Sequence, residues 1–322
     1  MQSELDQTAR WLQDGDEQAL ESALLRAKTV RTAVFGERGR TVSTKTVSFQ
    51  GERGANSEIA ALEFFGDEAE VVPQPSFEAV FDAVERGHSE YGILPIENSL
   101  AGSIHRNYDL MLQHTLSIVG ELKLRIVHNL LVNKGVKLED IRQVHSHPQA
   151  LDQCREFFRV HPGMEPVSVY DTAGAAKLLK ERGSGDVAAI ASAQAAVHYD
   201  LDILARSIED SPQNFTRFLV LAPQAISPKG ERVKTSIVFS VANVPGSLFK
   251  AMSVFALRDI DICKIESRPL IGTPWDYLFY LDFRGSADSL PSSRALTHLQ
   301  EIATYFKLLG SYEEGRTVDG GG

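Results

Sequence analysis

The feature that most constrains this chain is a repeated grammar. Short apolar strands run into helices through turns of small polar residues, from residue 46 to about 222. Val47-Ser48-Phe49 is predicted as a strand, followed by the turn Gly51-Glu52-Arg53-Gly54 and a helix over about 56–65 that stops at Gly66. Asn56 or Ser57 is placed to cap that helix, with Ile59, Leu62 and Phe65 on its inner face. After a short strand at Val71-Val72, Ser76 caps a helix that turns Phe77, Val80, Phe81 and Val84 inward. The strand at 91–95 ends in the polar cluster Ile96-Glu97-Asn98-Ser99. Ligands of open α/β sheets bind beyond the carboxyl ends of the strands, so this cluster is a candidate site. A second unit of the same kind follows a β-like run over 116–132. It has a strand at 144–146, a helix with Pro148 at its first position, a strand at 167–170, a helix over 173–180 capped by Asp171-Thr172, and a small-residue strand at 187–191. Alternation of this kind predicts two α/β lobes with a cleft between them.

The run 219–222 reads as a buried strand, and Asn214-Phe215-Thr216-Arg217-Phe218 places a hydroxyl and a guanidinium directly before it. A strand so apolar has no structural need for that pair. The bland reading is a Thr of good strand propensity beside an Arg that reaches water. Beyond Pro223 and the linker at 227–230 the grammar changes to strand, helix, strand, strand, helix, strand over 231–313, a ferredoxin-like unit. Residues 1–44 carry two short apolar stripes and predict a helical arm that must pack on something else. Residues 314–322, which end in three glycines, read as a flexible tail.

Charge and cysteine content narrow the function. The formal net charge of −10 argues against nucleic acid or anionic membrane as a partner. No apolar stretch has the length of a membrane span, and the charged N-terminus lacks a signal-peptide core. Cys154 and Cys263 make neither a disulfide framework nor a metal cluster. His145 and His147 have metal-like spacing without accompanying carboxylates or thiols. Gly51 and Gly54 lack the rest of a dinucleotide fingerprint. These features predict a cytoplasmic protein without metal or cofactor.

Five ordered stretches carry a resemblance. They are Phe49-Gln50-Gly51-Glu52-Arg53-Gly54-Ala55-Asn56-Ser57-Glu58, Gly92-Ile93-Leu94-Pro95-Ile96-Glu97-Asn98-Ser99, Ser146-His147-Pro148-Gln149-Ala150-Leu151, Asp171-Thr172-Ala173-Gly174-Ala175-Ala176 and Asn214-Phe215-Thr216-Arg217-Phe218. Together they resemble the prephenate dehydratase family, which includes arogenate dehydratase. Asn243-Val244-Pro245-Gly246-Ser247-Leu248 and Glu266-Ser267-Arg268-Pro269 resemble the two phenylalanine-binding motifs of the ACT regulatory domain of that family.

The resemblance implies a type II periplasmic-binding-protein fold for the catalytic region over 45–225. Lobe 1 is expected at about 45–120 and 210–225, lobe 2 at about 121–209, and the ACT domain at 231–313. It implies decarboxylating dehydration of prephenate to phenylpyruvate in phenylalanine biosynthesis, with phenylalanine as allosteric ligand and a homodimer or homotetramer as the assembly. Arogenate dehydration, which gives phenylalanine directly, is the nearest alternative. A non-catalytic sensor of aromatic metabolites is the alternative of another class. Thr216, Arg217 and Phe218 are the implied catalytic residues, with Thr216 as the acid toward the leaving hydroxyl. Ser57, Asn98, Ser99, Thr172 and Asn214 are the implied substrate-binding residues. Asn243, Pro245, Gly246, Ser247, Leu248, Glu266, Ser267, Arg268 and Pro269 are the implied phenylalanine site.

Chemistry adds three expectations. Arg217 on the ring carboxylate would stabilise the ground state against losing CO2. It is therefore expected on the pyruvyl carboxylate, or in a structural role only. Glu97 is expected to order its turn by accepting backbone N–H groups. Thr216 begins its strand, whereas 96–99 and 171–172 follow theirs. For all of them to face one cleft, strand 216–222 must run antiparallel to its neighbours.

Overall fold

The computed structural model describes residues 44–270, 272–273 and 275–320. The helical arm expected over 1–44 lies outside them, Thr44 excepted. In chain order the first sheet receives β1 (Thr46–Gln50), α1 (Asn56–Phe65), β2 (Glu70–Gln74), α2 (Phe77–Glu85), β3 (Tyr91–Asn98), β4 (Gly102–Ser103), α3 (His105–Gln113) and β5 (Ser117–Arg125). The chain then builds a second sheet with β6 (Asn129–Val132), β7 (Gln143–Ser146), α4 (Pro148–Asp152), α5 (Arg155–Val160), β8 (Glu165–Ser168), α6 (Thr172–Arg182), β9 (Val187–Ala191), α7 (Ala193–His198) and β10 (Asp202–Ala205). It returns to the first sheet with β11 (Phe215–Ala222). The last unit is β12 (Val233–Val241), α8 (Ser247–Ala256), β13 (Ile262–Pro269), β14 (Tyr277–Arg284), α9 (Leu290–Ile302) and β15 (Ala303–Glu313), with β16 (Thr317–Asp319) after it.

The first sheet has the order β16-β5-β11-β3-β1-β2, with β4 on β3, and the second has the order β10-β6-β9-β7-β8. β5 lies wholly in the first sheet, so the chain changes lobes at 126–128 rather than near 120, and it returns between 206 and 214. The early boundary drawn from sequence has a simple cause: β5 and β6 are both apolar and follow one another with three residues between them. β11 is antiparallel to β3 and to β5, as the placement of the polar clusters requires.

The central strands of the first sheet, β1, β3, β5 and β11, are buried on both faces, which is why they read as largely apolar runs. Under α1 one face packs Val47, Phe49, Ile93, Leu122, Phe218 and Val220. The other packs Leu94, Ile96, Ile118, Leu219 and Leu221 against α2, α3 and the last unit's Val238, Leu278, Tyr280 and Tyr312. That last unit is a four-stranded antiparallel sheet of order β13-β14-β12-β15, and α8 and α9 cover its far face. Its near face is therefore part of a core shared with lobe 1.

The expected flexible tail is corrected at 317–319, which pair in parallel with Lys123–Arg125 as β16. Gly315 makes this approach feasible, since a Cβ there would stand 2.4 Å from the carbonyl oxygen of Glu121. A three-residue strand with a single apolar side chain, Val318, leaves no periodic trace in a sequence, so the pairing was invisible there. The lobes meet through a second close approach. Gly54 has φ +83° and packs on Ala195 so tightly that a Cβ would stand 2.5 Å from its Cα. Ser192 Oγ donates to Gly54 O across the same contact at 2.6 Å. Among the described residues no helix is long and apolar enough to cross a membrane.

Candidate active site

A cavity of about 180 Å³ opens between the lobes. Lobe 1 contributes Gln50, Gly51, Ala55, Asn56, Ser57, Pro95, Asn98, Ile104, Ile126, Thr216 and Phe218 to its walls. Lobe 2 contributes His128, His147, Gln149, Ala150, Gln153, Asp171 and Thr172. The cleft therefore brings together Ser57, Asn98, Thr172, Thr216 and Phe218 from the expected set.

The register explains the centre of the site. Thr216 lies opposite Asn98 in the β11–β3 ladder. The Asn98 amide is fixed in orientation, because its Oδ1 accepts from the backbone N–H of Leu100 at 3.0 Å and of Ala101 at 2.9 Å. Its Nδ2 therefore donates, to Thr216 Oγ1 at 3.0 Å and to Asn214 Oδ1 at 2.8 Å. Thr216 is thus an acceptor toward Asn98, and its own proton is free to be donated elsewhere. Asn214 Nδ2 continues the chain to Gln153 Oε1 at 2.9 Å, and that oxygen lies 2.9 Å from His128 Nε2. A carbonyl oxygen only accepts, so His128 carries its proton on Nε2. Burial pushes the His128 pKa down and keeps the ring neutral, against the Gln153 contact and the Glu209 carboxylate. His147 Nδ1 accepts from Gln149 N at 3.2 Å, and burial likewise lowers its pKa against the pull of Asp171.

Helix starts supply the rest of the polarity. Neither Asn56 nor Ser57 caps α1; the N-cap is Ala55, which offers no side-chain acceptor. Asn56 and Ser57 of the first turn line the cleft, so the positive end of α1 lies at its wall, with the Glu58 carboxylate in the same turn answering part of that charge. Thr172 is likewise not a cap. That role belongs to Asp171, whose Oδ1 accepts from Gly174 N at 2.5 Å. Burial raises the Asp171 pKa, against the backbone amides it accepts from.

Two expected site residues serve the scaffold beside the cleft. Ser99 Oγ donates to Gln213 O at 2.7 Å and accepts from Phe215 N at 2.9 Å, pinning the start of β11. Asn214 is fully buried in the amide chain already described.

Arg217 is the main correction. Successive side chains of a strand point to opposite faces. Thr216 and Phe218 face the cleft, and Arg217 faces the last unit. There its Nη1 lies 2.6 Å from Asp282 Oδ2, and its Nη2 lies 2.9 Å from Glu121 Oε2 and 3.0 Å from Tyr312 Oη. Lys234 Nζ also meets Glu121 Oε2, at 2.8 Å. Burial opposes the charged guanidinium, but Asp282, Tyr312 and Glu121 outweigh it and hold the pKa above its ordinary value. No carboxylate bound in the cleft reaches a guanidinium placed this way, so of the two expected roles the structural one fits. Glu97 is also corrected. It pairs with Lys264 at 2.9 Å, and its turn is ordered by Asn98 Oδ1 instead. Glu97 follows Arg217's side of the ladder for the same reason of alternation.

The expected phenylalanine site divides in two. Asn243, Gly246, Ser247 and Leu248 line a separate cavity of about 310 Å³ with Phe249, Tyr277 and Phe279. Gly246 has φ +84° at the start of α8, which a β-carbon would strain. Pro245, Ser267 and Pro269 are not among its lining residues, and Ser267 and Pro269 lie on the exposed face of the edge strand β13. Glu266 and Arg268 point the other way, into lobe 1. Glu266 accepts from Ser103 Oγ at 2.9 Å and meets His105 Nε2 at 3.1 Å, and Arg268 Nη2 donates to Asp109 Oδ2 at 2.8 Å. Sequence reasoning missed Gln50, His128 and Gln153 in the cleft. His128 and Gln153 belong to no motif, and only their hydrogen bonds to one another and to Asn214 mark them.

Residues 47–226 match the family model for prephenate dehydratase. A relative from Arabidopsis thaliana, arogenate dehydratase/prephenate dehydratase 2, chloroplastic, is 50% identical over 282 residues, which is 84% of this chain and 74% of the relative. A solved prephenate dehydratase from Arthrobacter aurescens in complex with L-Phe is 30% identical with a TM-score of 0.78, covering 84% of this chain and 90% of that one. GqqA, described as a novel type of quorum quenching acylase, is 34% identical with the same TM-score of 0.78, covering 84% of this chain and 98% of its own.

Proposed function

The chain belongs to the prephenate dehydratase family, and from that premise we propose that its cleft carries out the decarboxylating dehydration of prephenate to phenylpyruvate in phenylalanine biosynthesis. The observation that carries the reading is a Thr216 hydroxyl held as an acceptor by Asn98, so that its proton is left to donate, in a cleft lined by no Lys or Arg among the described residues. Losing CO2 returns two electrons to the ring, and expelling hydroxide from the opposite carbon completes aromatisation. The leaving oxygen gains negative charge in that step. A hydroxyl aimed at it lowers the barrier, and a positioned acid contributes about 10²–10⁴ in rate. The hydroxide takes the Thr216 proton and leaves as water, and solvent restores the proton on Thr216. Ile104, Ile126 and Phe218 give the ring carboxylate an apolar wall, where neutral CO2 is favoured over the anion. Ser57, Thr172 and the uncapped start of α1 are proposed as donors to the side-chain carboxylate.

Arogenate dehydration is a second reading, favoured by the Arabidopsis relative, whose name carries both activities. Acyl hydrolysis, named for GqqA, calls for a base on a nucleophile. Thr216 Oγ1 meets an amide donor there instead. A sensor without chemistry has no use for the Thr216 arrangement. Incubating the chain with prephenate and arogenate separately and assaying phenylpyruvate and phenylalanine decides among these. Formation of neither product would end the dehydratase reading.

The last unit is proposed as an ACT domain and the catalytic region as a type II periplasmic-binding-protein fold. L-Phe bound to the Arthrobacter relative supports phenylalanine as a ligand here, with Asn243, Gly246, Ser247 and Leu248 as its contacts. Val244, Phe249, Leu257, Ile265 and Trp275 are exposed on this unit, which supports pairing of two copies in a homodimer or homotetramer. Two free cysteines support a reducing compartment, and we place the protein in the cytoplasm.

A further inference from the structure

Among the described residues that line the cleft, Asp171 is the one formally charged side chain; burial lowers the pKa of the two histidines there. Its carboxylate is half-spent. Oδ1 caps α6 through Gly174 N. Oδ2 faces lobe 1 across the cleft, so that a Cβ on Gly51 would stand 3.7 Å from it. Among the described residues the ammonium that interacts with it, Lys177, is taken by Glu52, with both carboxylate oxygens 3.1 Å from Nζ. A partly buried carboxylate without a cationic partner is a cost to the empty protein. Burial raises its pKa accordingly.

The surroundings say what would offset that cost. The same point at Gly51 lies 3.3 Å from Ala55 Cβ, at the uncapped start of α1. The cleft thus sets a carboxylate beside a helix start that has no side-chain cap. An α-amino acid head group has the matching pair, an ammonium beside a carboxylate. A 2-keto acid has only the carboxylate, and Asp171 repels it.

We propose that Asp171 is a specificity-determining residue that favours the amino form of the substrate, arogenate, by pairing its carboxylate with the substrate ammonium while the start of α1 holds the adjacent carboxylate. The proposal rests on the dehydratase reading and, within it, favours the arogenate alternative over prephenate as the better substrate of that same site. No proton or electron moves in this contact; it acts on binding of substrate and transition state alike.

The test uses the full chain and its Asp171→Asn and Asp171→Ser variants. Asn and Ser both cap helices well, so α6 keeps its cap while the charge is lost. kcat/KM is measured for arogenate and for prephenate with each protein. Charged hydrogen bonds are worth enough that the arogenate-to-prephenate ratio is expected to fall on the order of 10- to 100-fold in both variants. Prephenate turnover is expected to rise a few-fold as the like charge is removed. An unchanged ratio, with both substrates falling together, would reduce Asp171 to a helix cap and overturn the proposal. Native protein that turns over neither substrate would instead overturn the dehydratase reading and take this proposal with it.

Discussion

The two faces of β11 differ sharply in chemistry. On the cleft side Thr216 belongs to a chain of neutral amides and imidazole, Thr216–Asn98–Asn214–Gln153–His128. On the other side, one residue along, Arg217 belongs to a buried charge cluster with Asp282, Glu121 and Lys234. The difference has a chemical reason. A cation beside a carboxylate that must leave as CO2 would hold it in the ground state. The seam with the last unit has the opposite need. Its charges neutralise one another where two sheets share a core, and they fix how the sheets meet.

Breaking the cleft side should give the largest effect. Thr216→Ala is expected to lower kcat by about 10²–10⁴ while leaving a phenylpyruvate-like ligand bound with little change, as read by steady-state kinetics and calorimetry. Retained turnover would remove Thr216 from the chemistry. Breaking the seam should act on stability first. Arg217→Met leaves Asp282 and Glu121 without their guanidinium and is expected to cost about 3–5 kcal/mol in urea unfolding. Folded variant should keep the KM of the native protein; a raised KM with stability intact would return Arg217 to substrate binding.

Acid should separate the two regions more gently. Burial raises the Asp282 pKa but Arg217, Ser236 and Lys234 outweigh it, so the folded value lies below the ordinary 3.8. A carboxyl whose pKa is depressed by folding stabilises the native state above its unfolded pKa, and that stability is lost as pH falls through the folded value. Urea midpoints are therefore expected to drop on acidification below about 4, and more shallowly in Asp282→Asn, which has no such proton to bind. The smallest effect is expected at Glu266→Gln. It loosens Ser103 and His105 on either side of Ile104, a cleft-wall residue. These partners are partly exposed, so the cost should be about 0.2–1 kcal/mol, with a modest change in KM. An unchanged KM would show that Ile104 keeps its place in the cleft wall without Glu266.

Much of this was legible in the residues. Strand-to-helix grammar and five ordered polar stretches were enough to place the cleft. They also required an antiparallel β11, because Thr216 begins its strand while Asn98 ends one. The face of Arg217 was legible too, through the two-residue period of a strand, had the neighbours of a motif not been read as one unit. The same period separates Glu266 and Arg268 from Ser267. Other features depend on partners distant in sequence. Asn98 and Asn214 are 116 residues apart, and Arg217 and Tyr312 are 95 apart. The shared core is likewise invisible locally. Because Val238, Leu278 and Tyr280 pack on Ile96, Ile118 and Leu219, the last unit is no detachable appendage, and cutting the chain near residue 225 would bare that face.

The most direct measurement is the position of an unreactive substrate analogue bound to the full chain. Its ring hydroxyl is expected within about 3.2 Å of Thr216 Oγ1, with no analogue atom on Arg217. An analogue carboxylate on the Arg217 guanidinium, or a ring hydroxyl out of reach of Thr216, would contradict that placement.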